Sequence, residues 1–512
     1  WNLDYVEELV REIKKILPET IIWLGGPEVS YDAKEVLLRL PEVTGVMKGE
    51  GEETYAALLD FYHGKTERLD EIAGITFRKE DGEIRENTWR EVMDLSLVPF
   101  VYEDLSLFEH KIIYYETSRG CPFRCSYCLS SVDKCLRFRD LDLVKRELQY
   151  FLDQKVPQVK FVDRTFNCRH GHAKEILNYL LEHDNGITNF HFEVSADLLN
   201  EEELELISRM RPGLIQLEIG VQSTNPDTIR EIKRTMNFER LSEVVKRIKT
   251  MGNTHQHLDL IAGLPYEGYE SFGQSFDDVY GLMPDQLQLG FLKVLKGSYM
   301  QEHAEEYGLV YKGKPPYEVL VTSWLSYGEI AQLKKIEEMV EVYYNSGQFA
   351  NTLRFLVKEF ASPFRMYEKL SGYYEEKGLF GRSHTRTARY EILLDFIGEN
   401  VKGKTEFYRE LLVYDLYLRE NIKSRPEFAG ESLADKEFLK AFYDREEKEP
   451  VYLKSYEKAD SRKLRKMTHI EVFEFQVDRD MKPGKTVLLF DYQNRNPLNY
   501  EAAVFRIGEK EE

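Results

Sequence analysis

The sequence predicts an α/β chain built around a partial (β/α)6 barrel. A truncated doubly wound domain precedes the barrel, and a mainly helical domain with a small terminal sheet follows it. Three observations predict this order. Strand-like runs recur at about 112–116, 158–163, 189–194, 214–221, 256–262 and 286–295, with helical periodicity between them. Two short apolar strands ending in glycine turns come before these runs. From about residue 310 the composition shifts to Tyr, Lys and Glu with helical patterns. At 512 residues the length prior allows about three domains.

Residues 3–16 set Val6, Leu9, Val10, Ile13 and Ile16 on one helical face. Thr20 to Leu24 is a short strand running into Gly25-Gly26-Pro27. A helix over 31–40 leads to a second strand, Val43 to Met47, which ends in Gly49-Glu50-Gly51-Glu52; a further helix starts near Glu53. Doubly wound sheets bind ligands beyond the carboxyl ends of their strands, and glycine there lets a bulky group approach the backbone. Gly25, Gly26, Gly49, Glu50 and Gly51 are therefore candidate cofactor contacts, although tight packing alone also uses such turns. A hairpin from Ile72 to Arg85, turning at Asp81-Gly82, closes this domain at about residue 92. Residues 93–106, with Pro99, read as a linker.

The barrel reading covers 107–300. Eight βα units take about 250 residues, so about 190 residues suit six. Polar residues gather at the strand ends, where barrel active sites lie. The second strand ends in Asp163-Arg164-Thr165, the third offers Glu193, Ser195 and Asp197, and the fourth offers Glu218, Gly220 and Gln222. The fifth runs from Asp259 through Ile261 to Pro265. Any one of these acids can cap a helix or pair with a lysine. Their joint placement on successive strand ends is the stronger signal.

After the first barrel strand, Cys121, Cys125 and Cys128 form a C-x3-C-x2-C run that holds three of the five cysteines. Such short spacers keep all three sulfurs on one side. Three thiolates leave one iron of a four-iron cluster without a protein ligand. A zinc knuckle would need a fourth ligand at its usual spacing, and the nearest histidines are His110 and His170. The odd cysteine count argues against a disulfide framework. Cys135 and Cys168 have no partner motif and read as structural, and His170 and His172 read as solvated loop residues.

This motif, with the aromatic Tyr127 just before its last cysteine, resembles that of the radical S-adenosylmethionine (SAM) superfamily. The resemblance implies a [4Fe–4S] cluster whose open iron is chelated by SAM, cleavage of SAM to a 5′-deoxyadenosyl radical, and an electron donor such as ferredoxin or flavodoxin. It assigns Tyr127, Asp163, Glu193, Ser195, Glu218, Gln222 and the backbone near Ile261 to SAM, with Asp163 in the segment that receives the amino group. The family's glycine-glycine-glutamate is missing there, and Asp259 stands where the fifth strand's first glycine falls. Directly before such a motif, the paired glycine turns resemble a cobalamin-binding domain, of which two of about five strands are found. The chain begins at Trp1 rather than Met, so further upstream residues are expected. No histidine is assigned as lower cobalt ligand. Cobalamin together with a radical core implies methyl transfer to an unactivated carbon or phosphorus. Cyclisation or rearrangement without methyl transfer is the alternative.

Beyond the barrel, 310–512 resembles the accessory domain of unknown function in one subgroup of cobalamin radical proteins. Helices are expected at 318–345, 348–360, 385–398 and 404–423, and strands at 470–477, 487–492 and 502–507. The net charge of −20 argues against nucleic-acid or anionic-membrane binding. It also disfavours a tRNA methylthiotransferase, which would need a further cysteine set upstream. A non-catalytic iron–sulfur protein would not need the polar strand ends. Few cysteines with a metal-like cluster suit a reducing cytoplasm, and no run reaches the ~20 apolar residues of a membrane span.

Overall fold

A computed structural model describes residues 2–65, 68–131, 135–422, 424–456 and 459–508. The chain divides into two compact units. One comprises Trp1–Met251, Asp259–Phe272 and Leu289–Ile330; the other comprises Gly252–Leu258, Gly273–Gln288 and Ala331–Glu512.

The N-terminal segment follows the predicted alternation. Helix α1 (Leu3–Ile16) is followed by strand β1 (Trp23–Gly25), helices α2 (Pro27–Ser30) and α3 (Ala33–Arg39), strand β2 (Gly45–Met47) and helix α4 (Glu52–Tyr62). The helix expected at 31–40 is α3, and α2 is a further short turn of helix that starts directly at Pro27. Leu9 and Ile16, expected on the buried face of α1, stay exposed at 57% and 77%. β1 and β2 run parallel, Trp23 opposite Gly45 and Gly25 opposite Met47. Gly45 must be glycine, because a Cβ there would lie 2.3 Å from the Trp23 ring. The hairpin strands β3 (Ile75–Arg78) and β4 (Ile84–Glu86) extend this pair to a four-stranded sheet in the order β1-β2-β3-β4.

The barrel sheet has six parallel strands. Strand β5 (Ile113–Tyr115) is followed by a short antiparallel pair, β6 (Ser118–Arg119) with β7 (Arg137–Phe138). Then come α5 (Leu141–Asp153), β8 (Gln158–Phe161), α6 (His170–Glu182), β9 (Asn189–Val194), α7 (Glu201–Ser208) and β10 (Ile215–Gln222). Helices α8 (Pro226–Glu231) and α9 (Phe238–Met251) lead to β11 (His255–Ala262), and α10 (Tyr269–Tyr280) to β12 (Gln286–Phe291). The order β12-β11-β10-β9-β8-β5 places sequential barrel strands side by side. On β10 the two-residue period is plain. Ile215, Leu217, Ile219 and Val221 are buried, while Gln216, Glu218, Gly220 and Gln222 face the opposite way and are less buried. One such face carries the apolar packing, and the other carries the site.

The stretch expected as one helix over 318–345 differs. It begins as a strand, Val319–Val321, paired with Val310–Tyr311, and becomes helical only at Tyr327. Two β-branched valines suit the strand, and Ser326 and Glu329 exchange hydrogen bonds as a capping box that starts the helix. Further on, helices at Ala350–Leu356, Arg386–Asn400 and Thr405–Arg419 match three expectations, with residue 423 of the last outside the described residues. Pro363–Glu376, Lys436–Lys448 and Ser461–Met467 are additional helices. A three-stranded antiparallel sheet, Thr468–Phe475, Pro483–Arg495 and Ala502–Arg506, ends the fold.

Candidate functional site

The cysteine loop leaves the carboxyl end of β5 and is fixed before it reaches its first sulfur. Gly120 takes φ 91°, and a Cβ there would approach the Cys135 carbonyl oxygen to 2.6 Å. Asp163, two residues past β8, is fully buried. Its carboxylate accepts from the Thr117 amide at 2.7 Å, the Ser118 amide at 3.0 Å and the Thr117 hydroxyl. Burial pushes its pKa up to about 6, against those hydrogen bonds. Asp163 grips the start of the cysteine loop and is absent from the cavity wall; its neighbours Arg164 and Thr165 line the wall instead. His172, expected in solvent, is buried at 5% and lies 3.1 Å from the Thr117 hydroxyl, where burial lowers its pKa to about 4. The Ser126 amide donates to Ile232 O at 2.9 Å, and the Cys128 amide closes a turn on Cys125 O at 3.1 Å.

These contacts bring Cys121, Cys125 and Cys128 to one wall of a cavity of about 190 Å³. Glu193 and Ser195 from β9, Glu218, Gly220 and Gln222 from β10, and Asp259 from β11 line it further. Tyr127 and Arg234 join the cysteine side. Ile261 is not on the wall, and Asp259, two residues before it, takes that place. Cys121 Sγ lies 3.9 Å from the Thr165 hydroxyl, and burial raises its thiol pKa. Among the described residues no three His, Cys, Asp or Glu side chains converge on a single-ion site.

The strand register sets the electrostatics. Glu193 and Glu218 stand opposite each other on neighbouring parallel strands. Glu218 pairs with Lys160 at 2.9 Å and His191 at 3.0 Å. Burial, then the Glu218 charge, raises the Glu193 pKa to about 7, against Arg164 and Lys160. Its proton is therefore held more tightly in the folded chain. As pH climbs from the ordinary carboxylate range to about 7, the unfolded chain gives up this proton first, and folding stability falls. Glu193→Gln is expected to raise resistance to denaturant at pH 8 by roughly 3 kcal/mol and to change little at pH 4. Equal shifts at both pH values in denaturant titrations would contradict this account. Ser195 is held by Asn167, with hydrogen bonds of 3.0 and 2.8 Å, and its hydroxyl donates to Asp197 at 2.8 Å. Gln222 adopts φ 73°, a conformation that side chains rarely take.

The glycine turns lie at the carboxyl ends of β1 and β2. Ser30 ties them together: its hydroxyl donates to Gly26 O at 2.8 Å and accepts from the Gly49 amide at 3.2 Å. A Cβ at Gly26 or Gly51 would meet nothing within 4 Å, so the backbone there is open to a large group. Glu50 is occupied otherwise. Its carboxylate accepts from Arg137 at 2.6 and 3.0 Å and lies 3.4 Å from Arg119. Burial pushes its pKa up, but the Arg137 hydrogen bond, Met93 amide and Arg119 charge hold it lower overall. Glu50 therefore braces the cysteine loop and leaves the glycines as the open surface.

Comparison with known proteins accounts for this arrangement. The radical SAM superfamily model matches residues 115–279, and the B12 binding domain model matches residues 1–59. The chain joins a radical SAM domain to a B12-binding domain. Residues 305–490 match a protein family of unknown function, DUF4080. An uncharacterized methyltransferase of Pyrococcus horikoshii is 24% identical over 67% of this chain and 73% of its own length. The cobalamin-dependent radical SAM methyltransferase TokK of Streptomyces tokunonensis is 22% identical over 60% of this chain and 48% of its own. The chain spans only about half the length of several such relatives. The fold is also that of the cobalamin-dependent SAM radical enzyme OxsB, solved with aqua-cobalamin and SAM (TM-score 0.56, 18% identity, 81% of this chain and 69% of that one).

Arg234 escaped sequence reasoning. It follows a short helix beside Lys233, where a lone arginine reads as a solvated charge, and no spacing ties it to the cysteines. Arg164 and Thr165 follow the second strand, where no spacing or motif marks them as cavity-lining residues.

Proposed function

We propose that this radical SAM enzyme uses cobalamin to move a methyl group from SAM to an unactivated carbon or phosphorus of its substrate. The observation that carries the proposal is the shared cavity. Three cysteines and polar side chains from three successive parallel strands line one cavity. Cys121, Cys125 and Cys128 would hold the [4Fe–4S] cluster, since all three line the same cavity. When bound, the cluster supplies the electron that breaks a carbon–sulfur bond of SAM, and cobalamin supplies the methyl carrier.

The chain's own groups bind and orient. Glu218 and Asp259 bring carboxylates to the cavity for the cationic groups of SAM, while Glu193, which holds its proton up to about pH 7, Ser195 and Gln222 offer hydrogen bonds. Tyr127 contributes an aromatic surface beside the cysteines. Gly26 and Gly51 leave room for a corrin edge or its nucleotide tail, while Gly25 beside Met47 and Gly49 beside Trp89 would flank it. In this reading residues 1–92 form the cobalamin domain, 93–106 a linker, 107–300 the barrel and 310–512 an accessory domain. The enzyme needs an electron donor, and ferredoxin or flavodoxin fits that role in the cytoplasm. The net charge of −20 argues against a nucleic-acid partner. Among the described residues no helix is long and apolar enough to cross a membrane.

The test needs no knowledge of the substrate. The anaerobically reconstituted protein is mixed with reduced cobalamin and SAM carrying a deuterated methyl group. Deuterated methylcobalamin detected by mass spectrometry is the expected result. SAM cleavage without any label on cobalamin would remove the methyl-transfer proposal and leave an ordinary radical enzyme.

A further inference from the structure

Arg234 is the cation on the cysteine side of the cavity. One guanidinium nitrogen, Nη1, lies 3.8 Å from Cys125 Sγ and donates to the Tyr127 hydroxyl at 3.3 Å. The other, Nη2, donates to the carbonyl of Gly220 on β10. This last bond anchors the side chain to a strand, so the charge cannot swing away from the sulfur. Cys125 itself is buried at 7%. Among the described residues Arg234 pairs with no carboxylate, whereas Arg119, Arg137 and Arg139 each pair with a glutamate. A cation withdrawn from water needs a compensating anion. Here the group in reach that becomes anionic on ligating iron is the Cys125 thiolate.

We infer that Arg234 is a positioning residue that sets the reduction potential of the cluster held by Cys121, Cys125 and Cys128. The inference rests on the proposed function, because it presupposes that cluster. A hydrogen bond to a ligand sulfur and a nearby positive charge both stabilise the more negative, reduced cluster. Both therefore raise the potential. Tyr127 assists by accepting a hydrogen bond from the same guanidinium nitrogen that lies beside Cys125.

The experiment is a redox titration of anaerobically reconstituted protein, followed by electron paramagnetic resonance and performed without SAM. Omitting SAM separates an effect on the cluster from one on ligand binding. Arg234→Gln is expected to lower the midpoint, with at least a tenfold change in the reduced-to-oxidised ratio at a fixed solution potential. For one electron, tenfold corresponds to 59 mV. Arg234→Lys, which keeps the charge but not the planar fork, is expected to fall between Arg234→Gln and the unaltered protein. The midpoint is read from whichever fraction carries cluster, so partial loss of iron leaves the comparison standing. An unchanged midpoint in Arg234→Gln would overturn the inference. So would complete cluster loss in Arg234→Gln alongside an unaltered midpoint in Arg234→Lys, which would make Arg234 an assembly residue only. Absence of any cluster from the unaltered protein is a different failure, and it would sink the proposed function itself.

Discussion

Replacing Cys121, Cys125 and Cys128 together by alanine is expected to abolish the broad visible absorbance and the iron content of the reconstituted protein. Each single replacement should remove most of it, because two thiolates and an open side cannot retain a four-iron cube against exchange with solvent thiols. The expectation follows from how the loop is built. Gly120 turns the chain sharply, Asp163 fixes Thr117 and Ser118, and the Ser126 amide is tied to Ile232 O, so the three sulfurs reach one cavity wall. Cys135 and Cys168 serve as controls. Neither lines that wall, and alanine at either should leave iron content nearly unchanged. Cys168 feels Cys121 electrostatically, and its thiol is raised to about 11, first by burial. Iron retained by the triple variant, or zinc found in the unaltered protein, would contradict the reading.

The second large effect is expected at Asp163. Truncation to alanine strands two buried amides and a hydroxyl that now share its carboxylate. Each unsatisfied buried donor costs roughly 1–3 kcal/mol, so Asp163→Ala should lose about 3 kcal/mol of stability and most of its cluster. The cluster loss would come without any change to a cysteine. Asp163→Asn keeps one acceptor oxygen and should fall between the two in both measurements. Iron determination and denaturant titration decide the matter. A direct SAM contact with no structural role would give the opposite pattern, with full cluster content, unaltered stability and weakened SAM binding in both variants.

Asp163 also marks where sequence reasoning stopped. Its strand was legible: a run expected at 158–163 is a strand over Gln158–Phe161, and the runs at 189–194, 214–221 and 256–262 fall within a residue of β9, β10 and β11. Period-two alternation carries that information, and it also put Glu218, Gly220 and Gln222 on one face. Which way a carboxylate turns after the strand ends is a different matter. That depends on donors from another loop, here Thr117 and Ser118, some 45 residues away in sequence. Glu50 follows the same logic. Of its glycine neighbours Gly51 is open and Gly49 packs on Trp89, while its own carboxylate is drawn to Arg137, far along the chain. Arg234 gave no signal, since its partners are a sulfur, a phenol and a backbone carbonyl on other elements. In the segment after the barrel, helical periodicity over 318–345 hid a short strand. Val319 and Val321 fit either pattern, and only pairing with Val310–Tyr311 decides between them.

The central claim is that three cysteines leave one iron free for SAM, and the most direct measurement is electron paramagnetic resonance of the reduced cluster with SAM isotopically labelled at its amino nitrogen and carboxylate oxygen. The account predicts that SAM changes the spectrum and that hyperfine coupling to both labels appears, marking direct chelation. A spectrum unchanged by SAM, in protein shown by calorimetry to bind it, would contradict the account.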